Sequence, residues 1–438
     1  MTATQQQQPI KAAFAAFMGT MIEWYDFYCY GTAAALVFGQ LFFSSASPMI
    51  ATLASLGTFA IGFIARPLGA LFFGHIGDKI GRKRSLVLTL IIMGVSTTLI
   101  GFLPTYSHIG IVAPVLLILL RLLQGVAVGG EWGGAVLIAS EHASSKWRTI
   151  LSSAPQYGSP VGLILATIVF RLVSDLPQEQ LMAWGWRIPF WLSGILVILA
   201  FFIRSTVNES PEHLKRQATG NIAKEMPLKT IFRSHKATLL YGIAFCLLGI
   251  SGFYFITTLM ITYTTTYLGI EKKDILNIIA WVGVVELISF PLASLLAHRY
   301  GERKFLLWVT ALVFLWSVPM MQLIASKDVS LIATGILTAT LLIGGYYAVL
   351  AAYLPRVFPV HIRYTGISLS FQLCGAIFGG TTPLIGILIL NSYPGTWIPL
   401  CLMFMVISGL TFLASYMLNR EPGKKLQPVN KASVSTTK

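Results

Sequence analysis

Six ionisable side chains sit inside long apolar runs of this 438-residue chain: Glu23, Asp26, Arg66, Arg121, Glu131 and Glu286. A charge at the centre of a bilayer costs about 3 kcal/mol or more even on lenient insertion scales, so such groups pair, line water or move an ion. Burial favours the protonated form of a carboxylic acid, whereas a neighbouring arginine favours the ionised form. A solute carboxylate that engages the arginine would release the acid to take a proton, and the two fluxes would be linked. This is chemistry of binding and proton exchange. The chain has no Walker loop, no paired-histidine zinc helix and no His/Cys cluster, which leaves little for an enzyme, a metal or a cofactor.

Depth narrows the roles. Counting from Phe14 at 1.5 Å per residue, Glu23 and Asp26 lie about 14 and 18 Å into the first apolar run, and Arg121 lies about 16 Å from Gly110. All three are near mid-membrane, and Glu23 and Asp26, three apart, share a helical face. Arg121 is thus expected to bind a substrate carboxylate, with Asp26 or Glu23 carrying the proton and Tyr25 as a further substrate contact. Arg66 and Glu131 lie at similar depth and are expected to form a structural or gating ion pair, with a direct binding role as the alternative. Glu286 is a further candidate for proton coupling or for a cationic group on the substrate; the plainer alternative is a hydrogen-bonded core glutamate. Tyr254, Thr258 and Thr262 recur every four residues and could present one hydrogen-bonding stripe. Tyr346, Tyr347, Gln156 and Gln372 are similar candidates, although such stripes are more often packing.

The elements that must hold these groups follow from composition. Charged residues make up 11% of the chain and apolar residues 55%, against about 25% charged in a typical soluble domain. A bridging span needs about 20 apolar residues, and twelve runs qualify: 14–40, 50–74, 85–103, 110–136, 150–171, 187–203, 238–267, 275–297, 305–324, 329–353, 364–389 and 396–418. The expected division is a cytoplasmic leader 1–13, a first six-helix bundle 14–203, a linker 204–237, a second bundle 238–418 and a tail 419–438. The first run lacks the pattern of a cleaved signal. Of 31 Lys and Arg, 24 fall in segments on one side, five on the other and two inside spans. That asymmetry places both termini and the linker in the cytoplasm. The net charge of +15 is scattered in short loops, which suits anionic lipid and not nucleic acid. Cys29, Cys246, Cys374 and Cys401 stand singly, as buried small hydrophobes do.

The two halves repeat. Gly74-His75-Ile76-Gly77-Asp78-Lys79-Ile80-Gly81-Arg82-Lys83-Arg84 follows the second run, and Ser294-Leu295-Leu296-Ala297-His298-Arg299-Tyr300-Gly301-Glu302-Arg303-Lys304 follows the eighth at an offset of 220. A parallel duplication implies a cavity between two bundles. The 74–84 segment resembles the loop signature of the major facilitator superfamily. The segments Ile22–Phe27, Ala65–Gly69, Arg121–Gly125, Gly129–Gly134 and Trp184–Phe190 together resemble its metabolite:proton symporters, which include shikimate, α-ketoglutarate, citrate and proline/betaine carriers. The resemblance covers nearly the whole chain. It implies an all-α membrane fold of twelve helices in two pseudo-symmetric bundles, working by alternating access as a multi-pass protein of the inner (plasma) membrane. It also implies a small-molecule substrate and protons as partners, with a monomer sufficing. Asp78, Gly74, Gly81 and Arg82 would act in gating, with Asp78 reaching basic residues or helix N-termini of the other half in one conformation. The second loop departs from the pattern at His298 and Glu302. Uptake of a small organic acid is the first expectation and symport of a zwitterionic osmolyte the second. Drug efflux is disfavoured because Gly158-Ser159-Pro160-Val161-Gly162 lacks the antiporter motif of the fifth span.

Overall fold

A computed structural model describes residues 8–44, 48–144, 146–218 and 227–418. The tail 419–438, residues 1–7 of the leader and 219–226 of the linker lie outside the described residues. Among the described residues the secondary structure is entirely helical. Twelve long helices run α1 (9–42), α2 (Pro48–Lys79), α3 (Arg82–Phe102), α4 (Val112–His142), α5 (Arg148–Ser174), α6 (Gly185–Ser205), α7 (Lys236–Tyr267), α8 (Lys272–Tyr300), α9 (Glu302–Ala325), α10 (Val329–Val357), α11 (Arg363–Ser392) and α12 (Ile398–Met417). Eleven of them are long and apolar enough to cross a membrane; the exception, α1, carries Glu23, Asp26 and Tyr25, Tyr28 and Tyr30 in its middle turns. Short helices Pro211–Ala218 and Pro227–Ser234 lie between the halves.

Apolar side chains point outward as well as inward. Ile64, Leu315 and Phe202 are each more than 60% exposed, an arrangement that water would penalise and lipid does not. With lipid as apolar as leucine, the helices must be held by close packing and polar contacts. The α2–α4 seam shows how: Gly129 lies against the Arg66 and Ala70 backbone, and Gly125 against Gly62. Any side chain there would push the helices apart. The four cysteines are free and buried.

The repeat seen in sequence is geometric. Gly81 ends the α2–α3 turn at φ 134°, and Gly301 ends the α8–α9 turn at φ 93°. Both are left-handed conformations that favour glycine, and they are 220 positions apart. Some helix boundaries exceed the apolar runs at buried polar residues. Thus α4 continues past 136 to His142, with Ser140, Glu141 and His142 all buried, because partners at the helix end accept charges that hydropathy alone assigns to a loop.

Candidate functional site

Between the two bundles lies a cavity of about 680 Å3. Its first-half wall includes Trp24, Phe63, Arg66 and Ser159; its second-half wall includes Tyr254, Glu286, Tyr347, Phe371 and Gln372. Two ionisable groups therefore face one space from opposite halves. The Arg66 guanidinium lies over the rings of Phe63 (4.6 Å) and Phe27 (5.3 Å). Neither Arg66 nor Glu286 has an ion-pair partner within 4.0 Å among the described residues. Rings around an unpaired cation stabilise it through their negative faces without neutralising it.

A smaller pocket of about 230 Å3 adjoins the first, lined by Glu23, Phe27, Arg66, Arg121 and Gln124. Arg66 borders both spaces. Glu23 Oε2 is buried without a hydrogen-bond partner. From Arg121 a polar chain leads into the first bundle. Arg121 Nη1 donates to Gln124 Oε1 (2.6 Å) and Gln124 Nε2 donates to Thr97 Oγ1 (2.8 Å). Thr97 in turn donates to Asp26 Oδ2 (2.8 Å), and Ser193 donates to Asp26 Oδ1 (2.5 Å). Arg121 is itself seated 4.1 Å over the Tyr30 ring. It lies one pocket deeper than the main cavity and reaches Asp26 only through two side chains.

Several sequence expectations are corrected. Arg66 and Glu131 do not pair. Glu131 instead forms a buried ion pair with Arg204 and accepts from Thr89 (2.7 Å), while Arg204 also donates to Leu86 O (2.6 Å). These partners belong to α3 and α6, so Glu131 of α4 fastens its own bundle internally. Arg204 follows an apolar run, so by sequence it reads as a loop cation. Tyr25 donates to Pro189 O (2.8 Å) and Tyr346 to Phe245 O (2.5 Å). Both are fully buried in bundle cores, where a hydroxyl needs a partner; Tyr347, the neighbour of Tyr346, lines the cavity. Of the α7 stripe only Tyr254 reaches the cavity, and Thr258 is exposed elsewhere. Three π-turn stretches, Leu248–Gly252, Phe255–Leu259 and Tyr263–Tyr267, change the helical phase and separate residues four apart.

The cavity is floored on the side of the Gly81 turn. Trp132 of α4 stacks on Phe371 of α11 at 3.9 Å, and Trp132 Nε1 donates to Gln156 Oε1 (2.9 Å). Gln156 Nε2 then donates to Tyr347 O (2.9 Å) across the halves. Gln156 is thus a strut below the cavity, whereas Gln372 lies in its wall. Beneath this floor Asp78 caps the start of α11, accepting from Tyr364 N (3.1 Å), Thr365 N (3.0 Å) and Thr365 Oγ1 (2.9 Å). A carboxylate at a helix N-terminus satisfies amides that have no partner within the helix. Gly74 permits the approach, since an added Cβ would lie 2.8 Å from Thr365 Cα. Arg82 donates to Gly77 O (2.6 Å) and Val360 O (3.2 Å), and pairs with Asp78 and Glu141 at 3.4 Å each. Glu141 also pairs with Arg363 of the second half (3.3 Å). Neither Glu141 nor Arg363 is evident from sequence; both look like loop charges until the helix ends are placed.

Known proteins agree with this architecture. Residues 11–231 match the family model for "Sugar (and other) transporter", and residues 135–390 that for "MFS/sugar transport protein". The chain is 38% identical to the inner membrane metabolite transport protein YhjE of Escherichia coli K12, covering 94% of this chain and 95% of that one. It is 36% identical to the shikimate transporter of the same organism (92% and 93% covered), and 33% identical to the proline/betaine transporter of Salmonella typhimurium (91% and 82%). In shape it matches the proton:xylose symporter XylE bound to 6-bromo-6-deoxy-D-glucose, with TM-score 0.70 and 17% identity over 94% of this chain and 96% of the other. Two interlocking bundles around a charged cavity, and relatives matched nearly end to end, lead to one conclusion: the chain belongs to the major facilitator superfamily and is a multi-pass membrane transporter.

Proposed function

We propose that this transporter imports a small organic acid together with protons, by alternating access, in the inner membrane with both termini cytoplasmic. The observation that carries the reading is the pair of unpartnered, opposite charges, Arg66 and Glu286, on the two walls of one cavity. Arg66 is the anchor for a substrate carboxylate, a role that moves one pocket outward from Arg121. Arg121 acts behind it, where the Gln124–Thr97 chain ties it to Asp26. Glu23 and Glu286, neither with an ion-pair partner within 4.0 Å among the described residues and both at a cavity wall, are the groups that exchange protons. Asp78, Arg82, Gly74 and Gly81 close the basic, cytoplasmic face, so that the cavity of this conformation is cut off from the cytoplasm. Glu131 supports its own bundle and leaves gating to these residues. The 36% identity to a shikimate transporter supports an organic acid.

One observation favours a second reading. Glu286 stands opposite Arg66 across a cavity that is also lined by Trp24, Phe253, Tyr254 and Tyr347. An acid and aromatic faces together suit a substituted ammonium, while Arg66 suits the carboxylate of the same zwitterion. Proteoliposomes with an imposed pH gradient separate the two. Hydroxy acids should accumulate and be lost by about 10- to 100-fold in Arg66→Ala, the range expected for a removed charge-assisted contact. Glu286→Gln should then keep acid binding but lose gradient-driven accumulation. Loss of betaine binding in Glu286→Gln, with acids never transported, would establish the zwitterion instead. Uptake of acids by Arg66→Ala at the parent rate would refute the anchor.

A further inference from the structure

A second large concavity lies away from the transport path, on the outer side of α8, α9 and α10. It is an open trough of about 830 Å3, with Ala293 and Gly345 among its lining residues. Its rim consists of Leu292, Leu296, Tyr300, Trp308, Leu312 and Leu341, each between 37% and 57% exposed. Two small residues, Ala293 and Gly345, make the furrow: a Cβ at Gly345 would lie only 3.1 Å from that of Ala293. Larger side chains there would fill it.

Its length and its ends are informative. Along α8 it runs from Ser289 to Tyr300, a rise of about 16 Å. That is about half of a ~30 Å hydrocarbon core, the depth of one leaflet. At the end nearer the Gly301 turn, the rings of Tyr300 and Trp308 meet at 5.9 Å, an aromatic pair of the kind that marks a membrane interface. Immediately beyond stand three exposed cations, Arg299, Arg303 and Lys304, with the Arg299 guanidinium 5.5 Å from the Tyr300 ring. The acid beside them in sequence, Glu302, does not neutralise them, because it is buried and already engaged by Arg356 and Thr149. An apolar trough one leaflet long, closed by an aromatic pair and then a triple positive charge, complements one kind of occupant.

We propose that this groove binds a single phospholipid with an anionic headgroup. One acyl chain lies along α8–α10, and Arg299, Arg303 and Lys304 hold the phosphate. The site adjoins the transport path through two helices. Ser289 of the groove follows Glu286 of the cavity by three residues and donates to Leu341 O (2.6 Å), and Gly345 of the groove follows Gly344 of the cavity. A lipid in the groove therefore braces the α8–α10 contact that carries one wall of the cavity.

The test uses the full chain purified from membranes, exchanged into mixed micelles containing equal phosphatidylglycerol and phosphatidylcholine, and read by native mass spectrometry. One retained phosphatidylglycerol per chain is expected, preferred over phosphatidylcholine. In the triple variant Arg299→Gln, Arg303→Gln, Lys304→Gln the preference should fall by about fivefold per charge removed. These positions are exposed, so folding is not at stake. Leu296→Trp with Leu312→Trp should block the trough and lose the bound lipid of either class. Should the Trp pair fail to fold, the charge variant alone decides. Equal retention of both lipids by the parent protein, or an unchanged preference in the charge variant, would mean ordinary annular lipid only and would overturn the site. The readout is independent of the transported solute, so its failure leaves the transport reading untouched.

Discussion

At Gly81 and again at Gly301 the chain makes the same left-handed turn between two long helices, yet the side chains after the two glycines carry opposite charges. Arg82 follows the first and pairs with Glu141 near the end of α4; Glu302 follows the second and pairs with Arg356 near the end of α10. Equivalent helices are joined by the same bond with the signs exchanged. The cross-half contacts diverge further. In the first turn Asp78 takes two backbone amides and a hydroxyl at the start of α11. In the second the corresponding position is the exposed His298, and Glu302 takes only the Thr149 hydroxyl near the start of α5 (2.5 Å). Backbone shape was retained through the duplication because only glycine relieves that φ. An ion pair survives reversal of its charges, but a helix N-terminus accepts only an anion. The two latches are therefore unequal: one fully buried, one built on an arginine that is 37% exposed.

The largest expected effect comes from breaking the stronger latch. In Asp78→Ala the amides of Tyr364 and Thr365 lose their acceptor, and Arg82, wholly buried, loses one carboxylate. Breaking a buried pair by removing one partner costs about 3–5 kcal/mol, enough to shift a conformational equilibrium by on the order of 100-fold or more. Distances between spin labels at the ends of α2 and α11 on this face should lengthen in the variant. An unchanged distribution would show the contact to be incidental. Glu302→Ala should move the matching distances between α5 and α9 far less, since a pair with a half-exposed arginine contributes about 1 kcal/mol or less.

How much of this was legible in the sequence depends on what each signal measures. Length and apolarity identify the spans, and a repeated glycine with flanking charges identifies the turns, because both reflect requirements of the backbone. Asp78 was legible as a gate candidate with a helix N-terminus among its expected contacts, though which helix was not. The partners of Glu131 and Asp26 were not legible. Arg204, Glu141 and Arg363 sit at helix ends, where hydropathy cannot distinguish a solvated loop cation from a buried one. Thr97, Gln124 and Ser193 are neutral and leave no trace against a polar background. Spacing on α1 put Glu23 and Asp26 on one face, but neighbouring helices decide that Glu23 borders a pocket while Asp26 is enclosed by two hydroxyls.

Exchanging charges sharpens the comparison at intermediate magnitude. Glu302→Arg combined with Arg356→Glu restores the pair in reversed sense, and Thr149 can accept as readily as it donates. Transport should stay within about threefold of the parent, a change of under 1 kcal/mol. Arg82→Glu with Glu141→Arg should stay inactive. A glutamate at 82 cannot donate to Gly77 O and Val360 O, and an arginine at 141 would face Arg363 and could not accept from Ser210. Equal recovery in both double variants would mean that sign is irrelevant in each turn, and the asymmetry would reduce to backbone geometry.

The smallest effect is a difference in pH response. The connector helix Pro211–Ala218 lays His213 against the first latch, 3% exposed and with Nδ1 unpartnered. Burial first, then the nearby Arg82 and Arg216, hold the imidazole below its ordinary value of 6.5, while Glu209 and Glu141 oppose them. A group whose affinity for protons is depressed in the closed state leaves that state at full stability above its free value, and withdraws stability as pH falls through the depressed one. The first latch should therefore loosen below about pH 6.5, the unperturbed histidine value. The second, whose charged members are an acid and an arginine, should be flat over the same range. Label distances between α2 and α11 measured at pH 7.5 and 5.5 should differ in the parent and coincide in His213→Gln. A response that survives in His213→Gln would assign the sensitivity to another group and remove the connector helix from the latch.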